Sequence, residues 1–300
     1  MKKVLYSIVV AFLAISCANN KYECPKHVVF IGVDGWSAVS FSKGGYPYIR
    51  SLMNEASWTL DKRCVFPTAS AINWMSIFSG VSPEYHGYVR WDSRCPDITP
   101  AWTDERGEVP TIFRLERNAH PESDILVTFQ WDVIRSLIDS TAVTTCIQFP
   151  QTEEGDWEEA KWAADYLKTN KPTFSFIYFG SLDATGHKYG WESEEYLSYS
   201  EHFDDIVKLL NDAVCEAGIE DDTVFIMTSD HGGHGRHHST EYVDETLQTP
   251  FFIWGKGIRK GHHIEAPSVE MDVTATLAKL LGVEPLKHWT CRPIDEVFER

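Results

Sequence analysis

The residues of this chain that could do chemistry collect at the ends of short apolar runs. Residues 27–33 (HVVFIGV) lead into Asp34 and Gly35, and residues 58–66 lead into Pro67 and Thr68. A third run, 173–180, leads into Asp183 and His187, four residues apart. A fourth, 222–229, leads into Asp230 and His231, with His234, His237 and His238 close behind. In a parallel sheet the carboxyl ends of strands line one edge, where ligands bind. Carboxylates and imidazoles gathered there without balancing lysines repel one another or lose hydration, and a divalent cation removes both costs. Mixed oxygen and nitrogen donors suit zinc, manganese or iron. Each residue alone also has a plain structural use. Asp34 fits a turn before Gly35, Thr68 fits a helix cap after Pro67, and the histidine run fits a solvated loop. Their joint arrival at four strand ends points to a site.

The elements that must position them follow from periodicity. Strands are expected at 27–33, 58–66, 124–129, 143–148, 173–180, 222–229 and 250–254. Helices are expected at 46–56, 70–79, 156–169, 195–217 and 271–281, the last closed by Gly282. FSFIYFG and TVFIMTS are apolar on both faces, as strands are when helices cover both sides of a sheet. The expected architecture is α/β, a three-layer sandwich with a mostly parallel central sheet covered by helices on both faces. Residues 27–300 read as one catalytic domain, with a loop-like, Pro-, Asp- and Trp-rich insertion near 88–110 suited to a lid.

Composition sets the outer bounds. The 300 residues are 43% hydrophobic and 24% charged, which excludes disorder and coiled coil. A net charge of −17 argues against binding nucleic-acid duplexes, which takes a basic surface. Lys2, Lys3 and an apolar stretch from Val4 to Ile15 form a secretory signal over residues 1–16, too short for a membrane span. Ser16 before Cys17 resembles a bacterial lipobox, whose cysteine is lipidated after cleavage, with residues 17–26 as a tether. The expectation is export to a bacterial cell envelope and a membrane anchor facing the periplasm or the cell surface. Cys24, Cys64, Cys95, Cys146, Cys215 and Cys291 remain, with no CxxC spacing for a thiolate zinc finger.

Taken together, GVDG (32–35), FPTAS (66–70), SGVSPEYHG (79–87), DATGH (183–187), SDHGG (229–233) and TPFFIWGKG resemble the alkaline phosphatase superfamily. Within it they are similar to the type I phosphodiesterase/nucleotide pyrophosphatase branch. The resemblance implies two divalent metal ions, usually Zn2+. Asp34, Thr68, Asp230 and His231 would surround one, and Asp183, His187 and a third histidine the other. That histidine is His238 by the DHGGxGxxH spacing, with His234 and His237 as alternatives. Thr68 would be the nucleophile, passing through a covalent phospho-threonine, and Ser70 is the next candidate.

The branch usually carries an asparagine a few residues after HG. Here that position falls on Trp91, leaving Asn73 or Arg90 as replacement donors to the phosphate. A sulfatase-type nucleophile is excluded, because CVFPT lacks the CxPxR pattern. The leading expectation is a metal-dependent phosphoesterase acting on phosphodiester or pyrophosphate bonds of a small phosphorylated substrate. The alternatives are a phosphomonoesterase of the same fold and a non-catalytic exported binding lipoprotein.

Overall fold

The computed structural model describes residues 22–239 and 241–299. The signal and lipidation readings on residues 1–17 lie outside these. Among the described residues, no helix is long and apolar enough to cross a membrane.

Eight strands form one sheet: β1 (His27–Val33), β2 (Ala56–Arg63), β3 (Ile125–Phe129), β4 (Thr145–Gln148), β5 (Phe174–Phe179), β6 (Thr223–Thr228), β7 (Gln248–Gly255) and β8 (His262–His263). Their spatial order is β4-β3-β5-β1-β6-β7-β2-β8. All pairings are parallel except those of β7, which runs antiparallel to both β6 and β2. The sheet is therefore mixed, with one reversed strand inside the expected parallel frame.

Alternation along β1 shows why both faces are covered. Val28 and Phe30 pack with Trp74, Phe78 and Leu277, from the helices Ser70–Ser79 and Glu270–Leu281. Val29, Ile31 and Val33 pack with Ala160, Ala163, Phe203 and Leu210, from the helices Glu153–Asn170 and Glu194–Glu216. The latter two helices begin on side-chain caps: Thr152 accepts from the Gly155 amide and Ser193 from the Tyr196 amide, each at 3.1 Å. Gly282 ends the helix Glu270–Leu281 in the left-handed region, as expected from the sequence.

Three details differ from the sequence reading. The expected helix 46–56 shortens to Pro47–Leu52, because β2 already begins at Ala56. The segment holding DATGH, to which the sequence reading assigns no element, is the helix Ser181–Tyr189. Its one internal glycine, Gly186, lowers helix propensity, yet a Cβ there would lie 2.6 Å from the Trp191 ring, so packing requires the glycine. A further helix, Ile112–Ala119, follows the insertion, and residues 87–111 hold neither helix nor strand.

Candidate active site

Six side chains from three strand ends converge. Asp34 follows β1, Asp183 and His187 sit on the helix after β5, and Asp230, His231 and His238 follow β6. Asp34 Oδ1 and Asp230 Oδ2 each lie 3.4 Å from His231 Nε2. Asp183 Oδ1 lies 3.9 Å from Nε2 of both His231 and His238. His187 Nε2 is 3.6 Å from Asp183 Oδ2 and 3.1 Å from His238 Nε2. Gly35 makes the approach of β1 to the Asp183 helix feasible. Its φ is +69°, and a Cβ there would come within 2.9 Å of Asp183.

The imidazoles are oriented alike. His231 donates Nδ1–H to the Gly232 carbonyl at 2.8 Å, His187 to that of Arg236 at 2.9 Å, and His238 to that of Thr68. A carbonyl can only accept, so each Nδ1 carries a proton and Nε2 is the nitrogen turned toward the carboxylates. Burial lowers the pKa of His231, and burial with His231 alongside lowers that of His238 to about 2. Burial and the charge of Asp34 raise Asp183 and Asp230 well above the usual carboxyl range. Asp183 Oδ1 and Asp230 Oδ2 are buried without a hydrogen-bond partner.

Orphaned carboxylate oxygens beside inward lone pairs are the donor set a divalent cation satisfies. Two overlapping groups have ligand atoms within 4.8 Å of one another: Asp34, Asp230, His231 and Asp183, His231, His238. His231 reaches both, where the sequence places it only in the group with Asp34, Thr68 and Asp230, and its ring stacks on His238 at 3.8 Å. His187 adjoins the second group. His234 turns instead toward Glu192, its Nδ1 3.3 Å from the carboxylate. Asp34 is held from behind: Tyr178 O–H and Trp74 Nε1–H donate to its Oδ2 at 2.5 and 2.9 Å, leaving Oδ1 on the cluster side.

The two hydroxyls after Pro67 separate here. Thr68 is fully buried, and its Oγ1 donates to the His238 carbonyl while its own carbonyl accepts from His238. It ties the two loops together and does not face the carboxylates. Ser70 does, with Oγ 3.1 Å from His231 Nε2 and 3.4 Å from Asp34 Oδ1. It opens the helix Ser70–Ser79, whose N-cap is Ala69 and carries no capping side chain. That helix start was the available signal in the sequence. The first helical residue, not the one before the cap, presents its side chain with the helix amides.

A pocket of about 480 Å³ opens on the cluster. Asp34, Ser70, Asp183, His187 and His238 line it together with Trp91 and Trp131. The two indoles are near parallel, at 14° with centroids 6.3 Å apart. None of its described lining residues is lysine or arginine. Of the expected substrate groups, only Trp91 is therefore on the pocket. Asn73 is buried, accepting from the Val65 amide at 2.7 Å and donating to the Pro67 and Ala69 carbonyls at 3.1 Å, so its amide is committed to the loop. Arg90 points to solvent and pairs with Asp97 at 2.7 Å. Of the other aromatics in the 88–110 insertion, Tyr88 is buried in the core and Trp102 rests on His288, centroids 4.1 Å apart.

The model of the type I phosphodiesterase / nucleotide pyrophosphatase family matches residues 28–250. The human protein named bis(5'-adenosyl)-triphosphatase ENPP4 is 24% identical over 228 residues, covering 72% of this chain and 49% of that protein. This chain thus spans about half the length of the ENPP4 relatives it matches. Murine ectonucleotide pyrophosphatase / phosphodiesterase 5, solved with AMP, superposes with a TM-score of 0.70 at 16% identity, over 88% of this chain and 96% of that one. A 2-O GAG sulfatase superposes with a TM-score of 0.72 at 14% identity, over 91% of this chain and 74% of that one. The fold is the expected alkaline phosphatase-like one.

Proposed function

As this chain belongs to the type I phosphodiesterase/nucleotide pyrophosphatase family, we propose that it is a hydrolase of phosphoric ester bonds, cleaving a phosphodiester or pyrophosphate in a small substrate. The observation that carries this is the Ser70 hydroxyl, aimed into the carboxylate–imidazole cluster at the base of the pocket. Asp34, Asp230 and His231 would hold one divalent ion, and Asp183, His187 and His238, with His231 alongside, the other, most simply Zn2+. Bound there, the ions would lower the pKa of the attacking hydroxyl and neutralise charge developing on the phosphoryl oxygens.

The chain's own groups supply the rest. Ser70 Oγ forms the new bond to phosphorus as the bond to the leaving oxygen breaks. The Ser70 proton has acceptors in His231 Nε2 and Asp34 Oδ1. Uncapped amides at the start of the Ser70 helix favour an anionic oxygen. Water then attacks the phospho-serine, frees Ser70 Oγ and leaves the phosphoryl group on the product. Trp91 and Trp131 offer flat apolar surface to a base or another planar group. A terminal, doubly charged phosphate calls for an arginine or lysine, and the described lining residues offer none, which favours a diester over a monoester.

The test is a panel of phosphodiesters, dinucleoside polyphosphates, monoesters and sulfate esters, offered to zinc-loaded protein and to its Ser70→Ala variant. Turnover of diesters or pyrophosphates that is lost in the variant supports the reading. Preference for monoesters would move the assignment to a phosphomonoesterase, and no turnover at all would favour a binding lipoprotein. The N-terminal sequence supports export and a lipid anchor at Cys17.

A further inference from the structure

The segment that carries Asp183 and His187 into the site is gripped just ahead of both residues. Gly180 and Ser181 join β5 to their helix. The Gly180 N–H donates to Gln130 Oε1 at 2.8 Å, and the Gly180 carbonyl accepts from Gln151 Nε2 at 2.7 Å. The Ser181 hydroxyl lies 2.8 Å from Asp156 Oδ1 and 3.1 Å from Gln130 Oε1. Behind this contact, Gln130 Nε2 donates to Asp156 Oδ1, and the Tyr199 hydroxyl donates to Asp156 Oδ2. Gln130, Asp156 and Ser181 are all buried.

Such a grip does more than close a strand. The helix Ser181–Tyr189 starts from Gly180 without a side-chain cap of its own. Gln130 accepts the cap residue's N–H, the bond that a capping-box glutamate makes from within a helix. Here the acceptor comes from the neighbouring strand, one residue beyond β3, so the helix start is indexed to the sheet edge. Asp183 is only three residues past Gly180, and its Oδ1 has no hydrogen bond to fix it. The helix start thus decides where that oxygen points.

We infer that Gln130, locked by Asp156 behind it, is a positioning residue for the Asp183/His187 side of the site and leaves the Asp34/Asp230 side unaffected. The inference rests on the two-cation reading above. Groups that orient metal ligands change affinity by about 10–100-fold when removed.

The experiment is a zinc titration of metal-free full-length protein against a competing chelator, with cobalt absorption as a second readout. The parent should bind two equivalents. Gln130→Met should weaken one of them by about tenfold or more and alter one component of the cobalt spectrum, leaving the other equivalent near its parental affinity. Asp156→Asn, whose amide oxygen can still accept from Gln130 and Ser181 while its NH2 donates to the Tyr199 oxygen, should stay near the parent at both. Gln130→Met binding both ions as the parent does, or losing both alike while folded, overturns the inference. So does an Asp156→Asn loss equal to that of Gln130→Met. If Gln130→Met does not fold by circular dichroism, Ser181→Ala carries the comparison, and parental affinity at both sites in that variant overturns it. A parent that binds no second equivalent refutes the two-cation reading itself.

Discussion

Ser70 and Thr68 are two residues apart, and their hydroxyls have unrelated tasks. Thr68 Oγ1 has one partner, the His238 carbonyl, whereas Ser70 Oγ faces His231 and Asp34. Thr68→Val should cost about 0.5–1.5 kcal/mol of stability, the net worth of one hydrogen bond. Its turnover should stay within about tenfold of the parent, or roughly 1.4 kcal/mol in the barrier. Ser70→Ala should lose turnover by at least about a thousandfold while keeping its metal and its melting temperature. Steady-state rates and urea unfolding of both variants decide it. The reverse pattern, with Thr68→Val inactive and Ser70→Ala active, would restore Thr68 as nucleophile.

Among the elements, β1 and β2 hold the site through two close contacts. Gly35 sits at φ +69° against Asp183, so Gly35→Ala should cost about 1–2 kcal/mol in backbone strain alone. It should also push Asp183 away, so its zinc affinity should fall further than a surface glycine variant such as Gly107→Ala, where a Cβ meets nothing within 4 Å. Equal zinc affinity in the two variants would contradict the contact. On β2, Lys62 and Glu270 form a fully buried pair at 2.6 Å, and Lys62 Nζ also donates to the Ser229 carbonyl at 3.1 Å, next to Asp230. Lys62→Met should destabilise by about 3–5 kcal/mol, because it leaves a buried carboxyl unpaired. Lys62→Met with Glu270→Leu should recover most of that loss in urea unfolding. A double variant no better than the single would show that the cost lies in packing around Lys62.

For the whole molecule, the buried carboxyls set the pH dependence of the metal-free protein. Burial raises Asp183, Asp230 and Glu159 well above their usual values, and raises Glu270 to about 8. The folded state therefore keeps protons that the unfolded state has released, and stability falls as pH rises through that interval. His231 and His238 are lowered and act in the opposite direction, but only below the unfolded histidine value of about 6.5. From about pH 6.5 to 8 the carboxyl effect stands alone, so the melting temperature of metal-free protein should drop across that range. On the proposed two-cation reading, zinc would displace the same protons and should raise the melting temperature more at pH 8 than at pH 6.5. A melting temperature that is flat or rising without metal would contradict this. At the same scale, the proposed lipid anchor predicts that Cys17→Ser moves the protein into a soluble fraction, and retention on the membrane would overturn that proposal.

Much of this was legible in the sequence because strand ends are local. An apolar run followed at once by Asp34, or within a few residues by Asp230 or Asp183, fixes both the strand and the side of the sheet to which its last residues go. The strand and helix spans on either side of those ends were readable for the same reason, since periodicity needs only neighbours in the chain. The tertiary structure decided what depends on partners far away. It reversed β7, turned Thr68 onto the His238 carbonyl and Ser70 onto the cluster, and gave His231 to both donor groups. It also brought Trp131 to Trp91 and Gln130 to Gly180, pairs separated by 40 and 50 residues. A hydroxyl, an indole or an amide serves many roles equally well by type. Which role it takes is set by the atom it faces, and that atom is supplied by another strand.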